Sequence, residues 1–117
     1  LRLVKDNTIE YSWKTTNRET INRLFASRQK YDDILIVKND LITDTSICNV
    51  AFSDGNRWKT PEKPLLKGTQ REYLLRRGTI QEARISTDDI SKYKHISLFN
   101  AMIGFGEIIL PITSINI

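Results

Sequence analysis

The chain has 117 residues, 39% hydrophobic and 27% charged, which fits one compact domain with its own core and excludes a disordered tail. Eighteen Lys and Arg against fourteen Asp and Glu give a net charge of +4, but the basic residues are scattered, which does not indicate nucleic-acid binding. No apolar run approaches the roughly 20 residues of a membrane helix, and the single cysteine, Cys48, leaves neither a disulfide nor a zinc spacing, so we expect a cytoplasmic protein without a metal site.

The first third of the chain predicts strands and then a helix. "LRLVKDNTIEYSWK" reads as two extended segments around Asp6 and Asn7, which favour turns. Thr16 and Glu19 have the spacing of a capping box, and the apolar residues after them recur on one helical face. The pattern predicts a helix from about Asn17 to Arg28.

The middle of the chain predicts a meander of three or four strands. In "DILIVKNDLITDTSICNVAFSDGNRWKT", apolar runs are separated by "ND" and by "SDGN", where Gly55 and Asn56 tolerate positive φ. The two prolines of "TPEKPLL" predict a loop. "GTQREYLLRRG" then predicts a second helix with Thr69 and Glu72 as a capping box and Gly78 as its C-terminal stop.

The rest of the chain completes a mixed fold. "IQEARIS" predicts a strand, "TDDISKY" a short helix or turn, and "HISLFNAM" and "EIILPITSINI" the closing strands. This order of strands and helices indicates an α+β, or mixed α/β, domain spanning residues 1–117.

Four features are candidates for chemistry. The glycine before the second helix leaves main-chain N–H groups for a phosphate or carboxylate. Lys14, after the aromatic "EYSW", would be a nucleophilic amine if desolvated, although residue type alone favours a solvated lysine at a strand end. Asp44 would lie in the middle of a strand if residues 41–52 form one. Two interpretations are equally consistent with this position: a carboxylate that lines a functional site among small polar residues, and a bend whose Asp and Ser side chains bind local backbone groups. His95, the only histidine, is better explained as a partly buried structural residue than as a base.

Three separated pieces, "WKTTNR", "LITDTSICNVAF" and "PLLKGTQREYLL", resemble in their order and spacing the C-terminal half of the class IV, or fold-type IV, pyridoxal-phosphate enzymes. That family includes branched-chain and D-amino-acid aminotransferases and aminodeoxychorismate lyases. The resemblance extends from Lys14 to the closing "FNAMIGFGEIILPITSINI". It implies the D-amino-acid aminotransferase-like fold, and a pyridoxal 5'-phosphate cofactor.

The resemblance also implies roles for individual residues. Lys14 would form the internal aldimine with the cofactor and carry the proton between Cα and C4′, and Asn17 and Arg18 continue the family pattern after it. Asp44 would face the pyridine nitrogen, where the family usually has Glu. The remaining cofactor-binding positions would be Asn49, at the family's asparagine, Leu66 on the ring face, the main-chain N–H groups of Thr69 and Gln70 for the phosphate, and Asn100 and Ala101 beside them.

These residue types suit the chemistry of the cofactor. A carboxylate about 4 Å from a pyridinium gains roughly 4 kcal/mol at an effective dielectric constant near 20, which keeps the ring nitrogen protonated. The protonated ring is the electron sink for deprotonation at Cα, and a released lysine is the base.

The activity implied first is an aminotransferase that moves an amino group between an amino acid and a 2-oxo acid. The alternatives are an aminodeoxychorismate lyase, which releases pyruvate, and, from another class, a non-catalytic basic module for an anionic partner. Family members usually form homodimers. Because the chain starts at Leu1, just before the candidate lysine, we expect the family's smaller N-terminal domain to lie upstream and to complete the site.

Overall fold

The computed structural model describes residues 1–7, 9 and 18–116, and the side chain of Arg18 is not among the described parts. Within these residues, two α-helices and eight β-strands follow one another in this order: β1 (Arg2–Lys5), α1 (Arg18–Ala26), β2 (Ile34–Lys38), β3 (Leu41–Ile42), β4 (Asn49–Ser53), β5 (Trp58–Pro61), α2 (Thr69–Arg76), β6 (Gln81–Ala83), β7 (His95–Phe99) and β8 (Ile108–Pro111). Two 3₁₀-helices, Thr87–Lys92 and Ile112–Ser114, precede β7 and follow β8.

The strands form two sheets. The smaller sheet has the order β1-β2-β3, with β1 parallel to β2 and β3 antiparallel to it. The larger sheet has the order β6-β5-β4-β7-β8 and is antiparallel except for the parallel pair β5 and β6. A parallel pair needs a crossover connection, and α2 lies in that crossover. Strands and helices mix as the sequence predicts for this fold class.

Strand β2 is buried on both of its faces. Leu35 and Val37 pack in the main core with residues of β4 and β7, whereas Ile34 and Ile36 pack against α1. Side chains alternate between the two faces of a strand, so an apolar run without polar interruptions suits a strand covered on both sides. A third cluster, which includes Leu74 of α2 and Phe99 of β7, fixes α2 on the larger sheet.

Both predicted hairpin turns are confirmed. Asn39 and Asp40 have φ of 51° and 67° between β2 and β3. Gly55 has φ of 104° between β4 and β5, where Asp54 Oδ1 accepts the N–H groups of Asn56 and Arg57. These left-handed conformations are the ones that Gly, Asn and Asp adopt most readily, which explains why the sequence could predict the turns.

Several predicted boundaries differ from the structure. The interval 41–52 is not one strand: β3 ends at Ile42 and β4 begins at Asn49. Helix α1 ends at Ala26 rather than near position 28, and Pro61 belongs to β5 rather than to the loop. The second predicted extended segment and Thr16 fall mostly or wholly outside the described residues.

The predicted capping box at the second helix is wrong. Gly68, not Thr69, is the N-cap of α2, and it provides no side-chain cap. A capping box does occur at Ser86 and Asp89, before the first 3₁₀-helix. The predicted stop at Gly78 is confirmed by its φ of 75° and by its N–H bond to Leu75 O. Neither described helix has the length and apolarity to cross a membrane.

Candidate functional site

A cavity of about 510 Å³ lies where the chain passes from the smaller sheet to the larger one. Its wall consists of residues 44–49, residues 65–69, residues 100–102 and Ile21 of α1. Most of the first two segments consists of connectors, since residues 44–48 lie between β3 and β4 and residues 65–68 lie between β5 and α2. Backbone outside regular structure needs other hydrogen-bond partners, and side chains at the cavity supply them.

Asp44 is a buried carboxylate in the wall of this cavity, with 5% of its surface exposed. Its Oδ2 accepts the main-chain N–H groups of Leu65 and Leu66 at 3.0 and 3.2 Å. Its Oδ1 has no hydrogen-bond partner among the described residues. Burial raises the pKa of Asp44 to about 7, and the Leu66 N–H, the Thr43 hydroxyl, the Leu65 N–H and the charge of Arg71 oppose the rise only in part. The carboxyl therefore has one oxygen available to a cationic or hydrogen-donating ligand.

The main chain around Asp44 explains why no continuous strand forms. Ile36 N donates to Asp44 O at 2.8 Å, so the chain still follows β2 at this point. It then turns, because Cys48 N donates to Thr45 Oγ1 at 3.0 Å and Thr45 N donates to Cys48 O at 2.9 Å. A bend is present, as one alternative predicted, but the Asp44 carboxylate does not serve it. The carboxylate binds main-chain groups more than twenty residues further along the chain.

Asn49 holds the connector that leads into α2. Its Nδ2 donates to Leu66 O at 2.7 Å, and its Oδ1 accepts the Gly68 N–H at 3.3 Å. A side-chain amide presents a donor and an acceptor side by side, so one residue can hold two main-chain groups. Asn49 lines the cavity with its polar atoms engaged in this connector.

Helix α2 begins at the cavity. Glu72 N donates to Gly68 O, which leaves the preceding N–H groups of the first turn without an intrahelical acceptor. Gly68 adds no side-chain cap, and Thr69 lines the cavity. Free N–H groups and the positive end of the helix dipole favour an anion there.

The side chain of Gln70 joins the start of α2 to the third part of the wall. Its Nε2 donates to Asn100 O and, at 3.1 Å, to Ile103 O, and its Oε1 accepts the Phe105 N–H at 2.6 Å. Gln70 itself is not a wall residue of the cavity.

Asn100 organises the wall segment that contains Ala101. Its Oδ1 accepts the N–H groups of Met102 and Ile103 at 2.8 and 2.7 Å, and its Nδ2 donates to Ile47 O at 3.2 Å. Three exposed apolar residues, Ile47, Leu66 and Met102, form the rim of the cavity. Their exposed surface fractions are 58%, 53% and 91%, respectively. Exposed apolar side chains and the polar groups of Asp44 and Asn49 therefore line the same cavity.

Arg71 is an important residue that the sequence analysis did not identify. It is 1% exposed, and its guanidinium binds Glu72 at 2.8 Å, Glu82 at 2.7 Å and Pro61 O at 3.1 Å. It thereby ties α2 to β5 and β6. A signal was present, because position 71 lies three residues before Leu74, on the face where α2 is buried.

The structure brings most of the predicted site residues together. Six of them line the one cavity: Asp44, Asn49, Leu66, Thr69, Asn100 and Ala101. Gln70 lies directly behind this wall. Lys14 and Asn17 lie outside the described residues, and His95 is exposed, away from the cavity. No group of three or more potential metal ligands occurs in the part of the chain that the structure describes.

Comparison with known proteins gives a family match over almost the whole chain. The family model for amino-transferase class IV matches residues 3–115. An uncharacterized protein of Haemophilus influenzae is 51% identical over 96 residues, which cover 82% of this chain and 51% of that protein. A protein of Schizosaccharomyces pombe, provisionally named aminodeoxychorismate lyase, is 35% identical over 98 residues, covering 75% of this chain and 42% of its own length.

Solved structures have the same fold. A protein of Haemophilus somnus 129pt, provisionally described as a 4-amino-4-deoxychorismate lyase, superposes with a TM-score of 0.82 at 40% identity, covering 88% of this chain and 53% of that one. A T.th. branched-chain amino acid aminotransferase complexed with N-(5'-phosphopyridoxyl)-L-glutamate superposes with a TM-score of 0.68 at 12% identity, covering 89% and 40%. The fold-type IV architecture of the C-terminal domain is thus confirmed. The chain spans about half the length of the curated relatives it matches.

Proposed function

Because the chain belongs to the amino-transferase class IV family, we propose that it forms the pyridoxal-phosphate-binding part of an enzyme that acts on an amino compound. One observation supports this most strongly. A buried carboxylate with an unpartnered oxygen and an uncapped helix start lie in the wall of the same cavity. These are complementary to the two charged ends of this cofactor, its ring nitrogen and its phosphate.

The residues of the cavity fit the cofactor by their chemistry. Asp44 Oδ1 would accept a hydrogen bond from the N–H of the protonated ring nitrogen, and the positive ring would in turn favour the ionised carboxylate. Leu66 would pack against the ring, and the Thr69 and Gln70 N–H groups would bind the phosphate. Asp44 Oδ2 and the Asn49 amide hold the connector between these two ends, so the side chains of both residues support the cofactor site through the backbone.

The shorter aspartate in place of the family's usual glutamate is compatible with this role. The connector reaches the carboxylate through Leu65 N and Leu66 N and fixes its orientation, leaving one oxygen for the ring. A carboxylate held in this way loses little side-chain entropy on binding a ligand.

When bound, pyridoxal phosphate supplies an electron sink that stabilises negative charge at Cα of the amino substrate. Lys14, by its position in the family pattern, is proposed to hold the cofactor covalently and to move the proton at Cα. Asp44 would hold the ring nitrogen in its protonated form. The exposed apolar side chains of the rim would restrict water at the cavity once a ligand is bound.

Of the two reactions considered for this chain, we favour the aminodeoxychorismate lyase reaction, which releases pyruvate. The relatives that are 35% and 40% identical carry that name, whereas the aminotransferase structures that superpose on this chain in the comparison are 12–24% identical. Amino transfer to a 2-oxo acid, the first expectation from sequence, is the second candidate because those structures share the fold. Either reaction is proposed to need the upstream domain, in a cytoplasmic homodimer.

An absorption spectrum tests the cofactor assignment. The complete protein that carries this chain is mixed with pyridoxal phosphate, and we expect a visible band that borohydride reduction fixes onto the peptide containing Lys14. Lys14→Ala should abolish the label, and Asp44→Asn should weaken cofactor binding while leaving the label on Lys14. No band in the unsubstituted protein would contradict the enzyme and favour a non-catalytic anion-binding module.

A coupled assay distinguishes the two reactions. A lyase releases pyruvate from aminodeoxychorismate without any added 2-oxo acid. An aminotransferase forms a new amino acid only when a 2-oxo acid is supplied. Pyruvate release that is absent in the complete, cofactor-loaded protein would reject our preferred reaction.

A further inference from the structure

Gln70 has a side-chain environment that its position in α2 does not require. It is the second residue of the helix, where a glutamine side chain normally points into solvent. Here both donors and the oxygen of its amide bind the segment 100–105: two carbonyl oxygens accept from Nε2, and one N–H donates to Oε1. These partners fix the orientation of the amide. The reverse orientation would place Oε1 against the two carbonyl oxygens and the NH₂ group against the Phe105 N–H.

The segment that Gln70 holds is otherwise supported from within and from the other side. Asn100 binds the N–H groups of Met102 and Ile103 inside the segment, and it reaches Ile47 across the cavity. The Phe105 ring packs in the core, 5.3 Å from the ring centroid of Trp58. Gln70 adds the connection between this segment and the start of α2.

Two wall residues on the joined segments have main-chain N–H groups free for a ligand. Thr69 is at the first position of α2, where the N–H has no intrahelical acceptor. The Ala101 N–H has no hydrogen-bond partner in the described part of the chain, whereas the N–H groups of the next two residues, Met102 and Ile103, donate to Asn100 Oδ1. Both residues line the cavity.

We propose that Gln70 is a positioning residue: its side chain holds residues 100–102 against the start of α2, so that N–H groups from both segments bind the same phosphate. This rests on the proposed cofactor. Gln70 thus acts at the phosphate end of the site in two ways, through its own N–H group and through the placement of the opposite wall. The connection is made by a neutral amide, so it adds no charge that would compete with the anion.

The test compares pyridoxal phosphate with pyridoxal, which lacks the phosphate. Dissociation constants for both are measured on the complete protein and on Gln70→Met, which keeps the size of the side chain but forms none of the three hydrogen bonds. We expect Gln70→Met to weaken pyridoxal phosphate about tenfold, the effect of one lost charge-assisted hydrogen bond, and to leave pyridoxal unchanged. The ratio of the dissociation constant of pyridoxal to that of pyridoxal phosphate therefore falls about tenfold.

Two further variants control for a general loss of structure. Gln70→Glu keeps the acceptor for the Phe105 N–H but cannot donate to Asn100 O and Ile103 O, and its charge repels the phosphate, so this ratio should fall further than in Gln70→Met. Gln81→Met makes the same chemical change at an exposed position of β6 and should leave both constants unchanged. Amide hydrogen exchange gives a readout independent of any ligand, since the Phe105 N–H should exchange faster in Gln70→Met.

Each outcome decides the proposal. Equal weakening of both ligands would mean that Gln70 has only a structural role, and two unchanged dissociation constants would mean that it does not position the phosphate site. Either result overturns the inference while leaving the cofactor assignment intact. An unsubstituted protein that binds neither ligand would overturn the cofactor assignment and this inference together.

Discussion

Gly68 lies so close to Asn49 that a Cβ atom at position 68 would be 2.6 Å from Asn49 Oδ1. The backbone of Gly68 has φ of −65° and ψ of 158°, an extended conformation that any residue adopts. Glycine is therefore required here for space and not for backbone freedom. The close approach lets the Gly68 N–H donate to the Asn49 side chain, which holds the start of α2 at the cavity.

Gly68→Ala should destabilise the protein by about 1–3 kcal/mol, as overpacking of a close contact does, and weaken any ligand at the start of α2. Urea unfolding measures the first effect. Gly104→Ala is the matched control, because a Cβ there meets only the flexible Glu107 side chain at 3.4 Å. Equal destabilisation by both substitutions would contradict the steric explanation.

The pair can be tested directly by a double-mutant cycle. In an Asn49→Ala background the obstructing amide is absent, so Gly68→Ala should cost at least about 1 kcal/mol less than it does with Asn49 present. Additive effects would show that the Asn49 side chain is not what position 68 avoids.

The pH dependence of stability should report the burial of Asp44. Its pKa rises from 3.8 to about 7 on folding, so the folded chain binds this proton more tightly than the unfolded chain. The stability it contributes is complete below about pH 4 and is lost as the pH rises to about 7, at up to about 1.4 kcal/mol per pH unit. Asp44→Asn mimics the protonated form and should remove this slope in urea unfolding without cofactor.

Asp54 provides the opposite control for that measurement. The N–H groups of Asn56 and Arg57 lower the pKa of this exposed carboxyl, so any stability it contributes is lost only when the pH falls below its ordinary range. Asp54→Asn should leave the slope between about pH 4 and 7 unchanged. A slope in that window that survives Asp44→Asn would assign it to another group.

Arg71 should matter far more for stability than its acidic partners. Arg71→Ala removes a side chain that is almost completely buried and leaves Pro61 O without its donor, so we expect a loss of about 2–5 kcal/mol. Glu82 is about half exposed, and water can replace it, so Glu82→Gln should cost no more than about 1 kcal/mol. Urea unfolding of the two variants compares these losses, and equal values would contradict the assigned asymmetry.

Cys48 offers a probe of the cavity without any change to the site. The thiol is buried and lines the wall, and burial raises its pKa, so alkylation should be slower than for an exposed thiol. Pyridoxal phosphate should slow it further by covering the wall. Mass spectrometry of the Cys48 peptide measures the rate, and an identical rate with and without cofactor would argue against binding at this wall.

The elements and the order of motifs were predictable, but the hydrogen bonds that build the site were not. The turns at Asn39–Asp40 and at Gly55 follow from local conformational preferences, which a sequence displays directly. The partners of Asp44 are main-chain N–H groups 21 and 22 residues away, and every residue except proline has one. Residue types therefore carry no information about which of those groups a carboxylate will find.

Gln70 illustrates the same limit. Its main-chain N–H was predictable as an anion donor because the start of a helix is visible in sequence. Its side-chain partners lie 30 to 35 residues away and are again main-chain atoms. The interruption of the strand at Thr45 was predicted only as one of two equal alternatives, because alternating polarity cannot separate a straight strand from two strands joined by a turn.

The frame around the cavity is joined almost entirely through the backbone. Asp44, Asn49 and Gln70 bind main-chain N–H and carbonyl groups of the wall, and no side chain of the rim takes part in those bonds. The rim positions 47, 66 and 102 are thus free to accept other side chains while the polar frame stays in place. A combinatorial library restricted to these three positions should yield folded variants at high frequency and is the natural place to redesign substrate preference.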